Sequence, residues 1–111
     1  MQGILNFPFI DAVVSTVDFV GLNYYGKEIQ SGIGVVIVPE DEYSEAGRNV
    51  FPDGAYLLLK EFSDRYKATH PGLKWIMTEN GISDRTDILR PSFIIEHLLA
   101  LNKAMTEGVC L

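Results

Sequence analysis

Four short segments of the chain have the composition of β-strands. Asp18 to Asn23 and Lys74 to Thr78 each have an apolar centre that contains β-branched residues, with polar residues at the ends. Val109 to Leu111 is similar to the opening of a further strand, and Gly34 to Pro39 to a short strand that its proline would end. We therefore predict buried strands in the first two segments, a strand start in the third, and a short strand within a long loop in the fourth.

An amphipathic helix is predicted after the segment Pro52-Asp53-Gly54. Asp53 has the residue type of an N-cap, and His70-Pro71-Gly72 ends the pattern. Between these limits, apolar residues recur at three- and four-residue spacing, and charged residues fill the other side. The apolar residues are Ala55, Leu58, Leu59, Phe62 and Tyr66. This spacing predicts one buried stripe.

A second helix is predicted from about Ser92 to Thr106. Its apolar face is predicted to consist of Ile94, Leu98, Leu101 and Met105. His97 lies at the edge of that stripe, and we predict a structural role for it. Gly108 ends the helix.

The order of these elements predicts the fold class. Strand, long loop, helix, strand, loop, helix and strand start is the alternation of an α/β fold, in which helical crossovers join parallel strands. Two or three strands cannot close a barrel, and a complete (β/α)8 barrel takes roughly 250 residues. We therefore predict that residues 1–111 are an internal slice of a single, larger α/β domain.

Composition and charge exclude several classes of protein. Hydrophobic residues make up 47% of the chain and charged residues 22%, which is typical of globular proteins. The net charge of −6 disfavours a nucleic-acid partner, because phosphate binding needs a basic face. One cysteine and two histidines do not favour a zinc site. No apolar segment approaches the roughly 18 residues of a spanning helix, so we expect any targeting or membrane-associating segment to lie outside this chain.

Polar side chains follow the two main strands at the end where parallel barrels carry their active sites. Asn23 and Tyr25 end the first strand, and Glu79 follows the second.

Side chains alternate along a strand, so one face of the first strand is predicted to line the barrel. It consists of Phe19, Gly21, Asn23 and Tyr25. The same rule predicts Trp75, Met77 and Glu79 on that face of the second strand. Val20, Leu22, Ile76 and Thr78 are then predicted to pack under helices.

Two motifs at these strand ends resemble a known family. Asp18 to Tyr25, which reads DFVGLNYY, resembles the sixth-strand motif of family 1 glycoside hydrolases, and Thr78-Glu79-Asn80-Gly81 resembles their seventh-strand nucleophile motif. The segments Asp87 to Arg90 and Glu96 to Leu99 resemble the stretch after the nucleophile motif in that family. The resemblance implies a partial (β/α)8 TIM barrel, from the sixth strand to the start of the eighth. It implies that Glu79 is the catalytic nucleophile and that Tyr25 and Asn23 contact the substrate.

Segments between the two strands resemble a plant branch of this family that transfers galactose between galactolipids. They include Tyr25 to Glu28, Ser31 to Gly34, Asp41 to Glu45 and Phe51 to Gly54. This resemblance implies a β-galactoside or galactolipid substrate and a location at the chloroplast outer envelope. It implies no cofactor, and stimulation by a divalent cation does not follow from the residues.

The chemistry of retaining glycosidases agrees with this interpretation and shows what the chain lacks. One carboxylate attacks the anomeric carbon, and a second carboxyl group about 5–5.5 Å away acts as acid and then as base. A phenol that donates a hydrogen bond to the first carboxylate stabilises its charged form, and Tyr25 fits that role. The family carries the second carboxylate in an Asn-Glu-Pro motif, which this sequence does not contain.

Simpler interpretations remain for each candidate. Glu79 also fits a loop carboxylate before an Asn-Gly turn, and Tyr24 fits a packing aromatic better than a site residue. The acidic run from Glu40 to Glu45 fits a solvated loop better than a calcium site. At the level of function, the alternatives are a hydrolysing β-glycosidase and a short, non-catalytic product.

Overall fold

The computed structural model describes residues 2–26, 30–31, 34–35 and 50–111. Its elements in chain order are the helix α1 (Gln2–Val13), a 3-10 turn (Val14–Thr16), the strands β1 (Phe19–Asn23), β2 (Gln30–Ser31) and β3 (Gly34–Val35), the helix α2 (Pro52–Tyr66), the strand β4 (Lys74–Glu79) and the helix α3 (Arg90–Thr106). The predicted strands and helices around the strand-end motifs are therefore confirmed. Of the strand predicted from Gly34 to Pro39, the part beyond Val35 lies outside the described residues, as does the acidic run from Glu40 to Glu45.

The two main strands form a parallel pair, as predicted. β1 pairs with β4 from Phe19 opposite Lys74 to Asn23 opposite Glu79, and α2 makes the crossover between them. The end of the chain lies beside β4, because the backbone N–H of Trp75 donates to the carbonyl oxygen of Cys110 at 2.8 Å. The predicted strand start near Val109 is thus represented by a sheet-like bond, although these residues form no complete strand. β2 and β3 form a separate antiparallel pair.

The start of α2 differs from the prediction in the residue at the N-cap position. Phe51 occupies the N-cap position without a side-chain cap, Pro52 begins the helix, and Asp53 lies in the first turn. Proline is favoured at this first helical position because its ring fixes φ and because the N–H it lacks would have no helical partner. The predicted N-cap at Asp53 is therefore wrong. Its carboxylate instead lies near the positive end of the helix dipole.

The core lies between the sheet and the helices. The rings of Phe62 and Trp75 are stacked with centroids 5.4 Å apart, and Trp75 is only 2% exposed. Leu59 and Tyr66 belong to the same cluster, so the predicted stripe of α2 is confirmed at these positions. Burial of one such large side chain contributes about 1.5–3 kcal/mol. These contacts fix α2 against the face of β4 that carries Trp75.

The alternation of side chains predicted correctly which face of β1 packs under the helices, but not which face of β4 does so. On β1, Leu22 is buried and Val20 packs against the core, while Phe19 lies on the opposite face, and this division of the faces is as predicted. Phe19 is exposed on that face. On β4 the prediction is wrong, because Trp75 and Met77 pack toward the helices. The side chains of Ile76 and Thr78, predicted to pack under helices, are exposed instead. Counting backwards from Glu79 failed because the strand is not regular between Met77 and Glu79.

The buried stripe of α3 also differs from the predicted one. It consists of Phe93, His97, Ala100 and Ala104. Ile94, Leu98 and Met105 are 46%, 59% and 50% exposed, so the predicted stripe is wrong at these three positions. Leu101, its fourth member, is partly buried and packs against the core, as predicted. Apolar residues occupy two neighbouring stripes of this helix, and periodicity alone does not choose between them. The stripe with two alanines is the buried one, and alanine permits a close approach of neighbouring elements.

His97 lies inside the buried stripe of α3, not at its edge. Its Nδ1 donates to the carbonyl oxygen of Phe93 at 2.8 Å, and its ring lies 3.9 Å from that of Phe93. Burial lowers the pKa of His97, and the hydrogen bond to Phe93 opposes this shift only in part. The ring is therefore neutral near pH 7, which agrees with the predicted structural role.

Helix α1, which has Pro8 in its interior, was not predicted from the sequence pattern. The contacts of α1 with α2 account for its position. Arg65 donates two hydrogen bonds to Asp11, at 3.1 and 2.6 Å, and the hydroxyl of Tyr66 donates a third at 2.7 Å. The bonds from Arg65 and then Tyr66 lower the pKa of Asp11 to about 2.

Candidate active site at the strand ends

Three predicted site residues meet where β1 and β4 end. Asn23 is the register partner of Glu79, and the hydroxyl of Tyr25 donates a hydrogen bond to Oε2 of Glu79. Asn23 and Glu79 are exposed, and Tyr25 is partly buried. The fold therefore brings together a carboxylate, a phenol and an amide at one open edge.

An irregularity in the strand pairing directs Glu79 to this edge. Leu22 pairs with Met77, but the next residue, Asn23, pairs with Glu79, so Thr78 is an extra residue in β4. Such a bulge shifts the alternation of side chains, and bulges are frequent beside active sites. Without it, Glu79 would share the helix-facing side of Trp75 and Met77. The bulge places Glu79 beside Asn23 instead.

Thr78, the extra residue, orients Asn23. Its hydroxyl lies 2.6 Å from Oδ1 of Asn23 and 3.0 Å from the carbonyl oxygen of Leu22. A hydroxyl has one proton to donate, and we assign its hydrogen bond to Oδ1 of Asn23, the closer of the two acceptors. Within the described part of the chain, Nδ2 of Asn23 makes no hydrogen bond, so its two N–H groups can donate to a ligand at this edge. This geometry suits recognition of hydroxyl oxygens.

The loop after Glu79 is held by a buried carboxylate that no sequence motif marked. Asp84 is 7% exposed and accepts hydrogen bonds from the N–H groups of Leu89 and Arg90, at 2.8 and 3.2 Å, and from the hydroxyl of Thr86 at 2.9 Å. Burial by itself raises the pKa of Asp84, but the hydrogen bonds from Leu89, Thr86 and Arg90 outweigh it and hold the pKa below its ordinary value. Asp84 therefore caps α3 from a distance and fixes the loop beside Glu79. Its only sequence signal is an aspartate shortly before a helix start.

The described residues contain no metal centre. Among them, no group of three or more His, Cys, Asp or Glu side chains is arranged to hold an ion. Within the same residues, none of the helices combines the length and apolar character needed to cross a bilayer.

Comparison with known proteins identifies relatives of the whole segment. The chain is 52% identical, over 103 residues, to the chloroplastic galactolipid galactosyltransferase SFR2 of Arabidopsis thaliana. That match includes 93% of this chain but 16% of the relative, so the chain spans about a sixth of that relative's length. No protein-family model matches the chain.

Solved structures of β-glucosidases share the fold. The hyperthermophilic β-glucosidase of Pyrococcus furiosus matches 96% of this chain with a TM-score of 0.78 and 27% identity, and this chain covers 25% of it. The family 1 β-glucosidase of Thermotoga maritima matches 94% of this chain with a TM-score of 0.67 and 25% identity, and this chain covers 26% of it. The described fold thus corresponds to part of a β-glucosidase, and the resemblance seen in the two strand-end motifs extends over nearly the whole chain. The chain is therefore similar to one segment of the family 1 β-glycosidases, as those motifs predicted.

Proposed function

We propose that this chain supplies the nucleophile side of a retaining β-glycosyl-transfer site in a longer protein. In this proposal, it is the slice of a (β/α)8 barrel from the sixth strand to the start of the eighth. The observation that carries the proposal is the hydrogen bond from Tyr25 to Glu79 at the carboxyl end of parallel strands. Active sites of such barrels lie at that end. Glu79 is the nucleophile, Tyr25 orients it, and Asn23 binds sugar hydroxyls.

The first chemical step transfers a galactosyl group to Glu79. A carboxylate oxygen of Glu79 forms a bond to the anomeric carbon, while the bond from that carbon to the lipid's glycerol oxygen breaks. The leaving oxygen takes a proton from a carboxylic acid that another part of the longer protein provides. The products are a galactosyl-enzyme and diacylglycerol. Tyr25 keeps the attacking oxygen in line before the step.

The second step releases the sugar to an acceptor. A hydroxyl of a second galactolipid attacks the anomeric carbon, gives its proton to the carboxylate formed in the first step, and displaces Glu79. Water in place of that hydroxyl gives hydrolysis. Which acceptor reacts depends on which one is held near the anomeric carbon, because positioning supplies a large effective concentration.

The galactolipid substrate is supported by the relatives. The 52% identity to a galactolipid galactosyltransferase exceeds the 26% identity to the β-galactosidase of Sulfolobus acidocaldarius. The chloroplastic location of the former supports a chloroplast location here. The outer envelope is our proposal within that location. Membrane association is assigned to parts of the protein outside this chain. The loop from Gly26 to Phe51, to which we assign acceptor choice, lies largely outside the described residues.

The test uses full-length protein with monogalactosyldiacylglycerol in liposomes. We expect oligogalactolipids and diacylglycerol, and no products from a Glu79→Gln variant of equal thermal stability. Free galactose without oligogalactolipids would favour the hydrolysing alternative. Absence of any galactose transfer by folded wild-type protein would favour the non-catalytic one.

A further inference from the structure

Tyr24 joins the helix layer to the strand ends. Its side chain is 5% exposed, packs with Ala55 and Ala100, and donates a hydrogen bond to the carbonyl oxygen of Phe51 at 2.5 Å. Gly54 makes room for this hydroxyl, because a Cβ there would lie 2.0 Å from the oxygen of Tyr24. The side chain of Tyr24 is therefore anchored at the start of α2, on the helix side of the sheet.

The main chain of Tyr24 contacts two consecutive residues at the end of β4, where the carboxylate lies. Its N–H donates to the carbonyl oxygen of Glu79 at 2.9 Å, and its carbonyl oxygen accepts from Nδ2 of Asn80 at 2.8 Å. Both contacts lie next to the bulge, where the regular ladder between the strands is interrupted. The side-chain amide of Asn80 thus supplies a bond between the strand ends beyond the point where the ladder becomes irregular.

We propose that Asn80 and Tyr24 are positioning residues that hold the hydroxyl of Tyr25 against the carboxylate of Glu79. This inference rests on the proposed function. Asn80 fixes the carbonyl of Tyr24, which is part of the peptide unit that leads into Tyr25. The two sides of the Tyr25–Glu79 contact are therefore tied to each other through the backbone. A catalytic constellation needs such support, since a misplacement of about 1 Å can cost about a hundredfold in rate.

The first experiment measures how fast the full-length protein forms its glycosyl-enzyme from an activated 2-fluoroglycoside. Asn80→Ala removes the amide donor and adds no charge. We expect it to slow glycosyl-enzyme formation about tenfold to a hundredfold while the apparent binding constant for the sugar changes by less than about twofold. Asn102→Ala is the matched control, because Asn102 is an exposed asparagine on the outer side of α3. It should leave both quantities unchanged.

A double-mutant cycle with Tyr25→Phe separates positioning from a general structural role. If Asn80 acts through the Tyr25 hydroxyl, Asn80→Ala should slow glycosyl-enzyme formation much less in the Tyr25→Phe background than in the wild type. Additive effects would overturn the proposal, as would a wild-type rate in Asn80→Ala. Loss of folding in both Asn80→Ala and Asn80→Ser would also overturn it, by making Asn80 a structural residue. Failure of the proposed function itself looks different, because the wild-type protein would then form no glycosyl-enzyme.

Discussion

The hydroxyl of Tyr25 donates a hydrogen bond to Oε2 of Glu79, although the two residues are 54 positions apart in the chain. The contact exists because β1 and β4 are parallel neighbours whose carboxyl ends coincide. The crossover through α2 gives the chain the length to return to the same end of the sheet. A contact between distant residues at a strand end is what a barrel active site requires.

Replacement of Glu79 in the full-length protein should stop glycosyl-enzyme formation. An amide is a poor nucleophile, so Glu79→Gln should remove the covalent intermediate while sugar binding persists. Glu79→Gly should regain part of its activity in azide or formate, because a small anion can occupy the vacated space. Mass spectrometry of protein inactivated by a 2-fluoroglycoside should find the label on Glu79. A label on any other residue would refute the assignment.

Tyr25→Phe should be milder than either change at Glu79. The variant loses one hydrogen bond to a charged group but keeps the nucleophile and the ring. We expect glycosyl-enzyme formation to slow about tenfold to a hundredfold. Pre-steady-state kinetics on the full-length protein would measure it, with Tyr56→Phe as the control, because the hydroxyl of Tyr56 donates to Glu107 at the far end of α3. An unchanged rate in Tyr25→Phe would show that this phenol does not orient Glu79.

Gly54→Ala should destabilise the protein by moving Tyr24. The added Cβ would lie 2.0 Å from the hydroxyl oxygen of Tyr24 and 2.6 Å from the ring of Phe51. Overpacking of this kind costs about 1–3 kcal/mol. Urea unfolding of the full-length protein would measure the loss in free energy. Gly81→Ala is the control, because nothing lies within 4 Å of a Cβ at that position. Addition of Tyr24→Phe to Gly54→Ala should recover part of the lost free energy of unfolding, because it removes the hydroxyl that the new Cβ meets. An equal loss in Gly54→Ala and in the double variant would contradict the assigned clash.

The sequence predicted the elements and the site more reliably than it predicted which face is buried. The strands, the two main helices and the meeting of Asn23, Tyr25 and Glu79 were predicted from short local patterns and from the family motifs. The faces of β4 were not, because the extra residue Thr78 changes the alternation and leaves no mark in hydrophobicity. Pairing with β1 reveals the bulge, and pairing is a property of two distant segments.

Helix α3 shows the same limit in a different form. Its two neighbouring apolar stripes are equally periodic, and the choice between them depends on what the helix packs against.

The structural roles of the Asn80 side-chain amide and of the Asp84 carboxylate were not predicted either, for a related reason. Apart from the hydroxyl of Thr86, their partners are backbone atoms, which carry no residue-specific signal in a sequence.

Stability should fall below about pH 4 in a way that depends on Asp84. The hydrogen bonds in the folded state hold the pKa of Asp84 below its ordinary value. Near the unfolded pKa of about 3.9, the unfolded state binds protons that the folded state does not, so unfolding is favoured as the pH falls. Above about pH 5 both states are ionised, and this pH dependence disappears while the stabilisation is fully present.

Urea unfolding of the full-length wild-type protein and of its Asp84→Asn variant as a function of pH would measure this effect. The difference in unfolding free energy between the two proteins should be constant above about pH 5 and shrink as the pH falls through the folded pKa of Asp84. Asn102→Ala, an exposed change elsewhere that alters no titratable group, should run parallel to the wild type. A difference that stays constant down to about pH 2 would contradict the assigned pKa direction.

The 111-residue chain by itself should fold poorly and lack glycosidase activity. One face of its β1–β4 sheet exposes Phe19 and Ile76, and α3 exposes the stripe of Ile94, Leu98 and Met105. Exposed large apolar side chains and open strand edges favour association of copies. We therefore expect a broad thermal transition, binding of a hydrophobic dye and oligomers in light scattering. Activity on aryl β-galactosides should be absent, because the sequence lacks the Asn-Glu-Pro segment that carries the acid/base group in family 1 glycosidases. General acid catalysis by such a group increases the rate about a hundredfold to ten-thousandfold. A soluble monomer with a sharp, cooperative transition would contradict the first expectation, and turnover by chain free of contaminating enzymes would contradict the second.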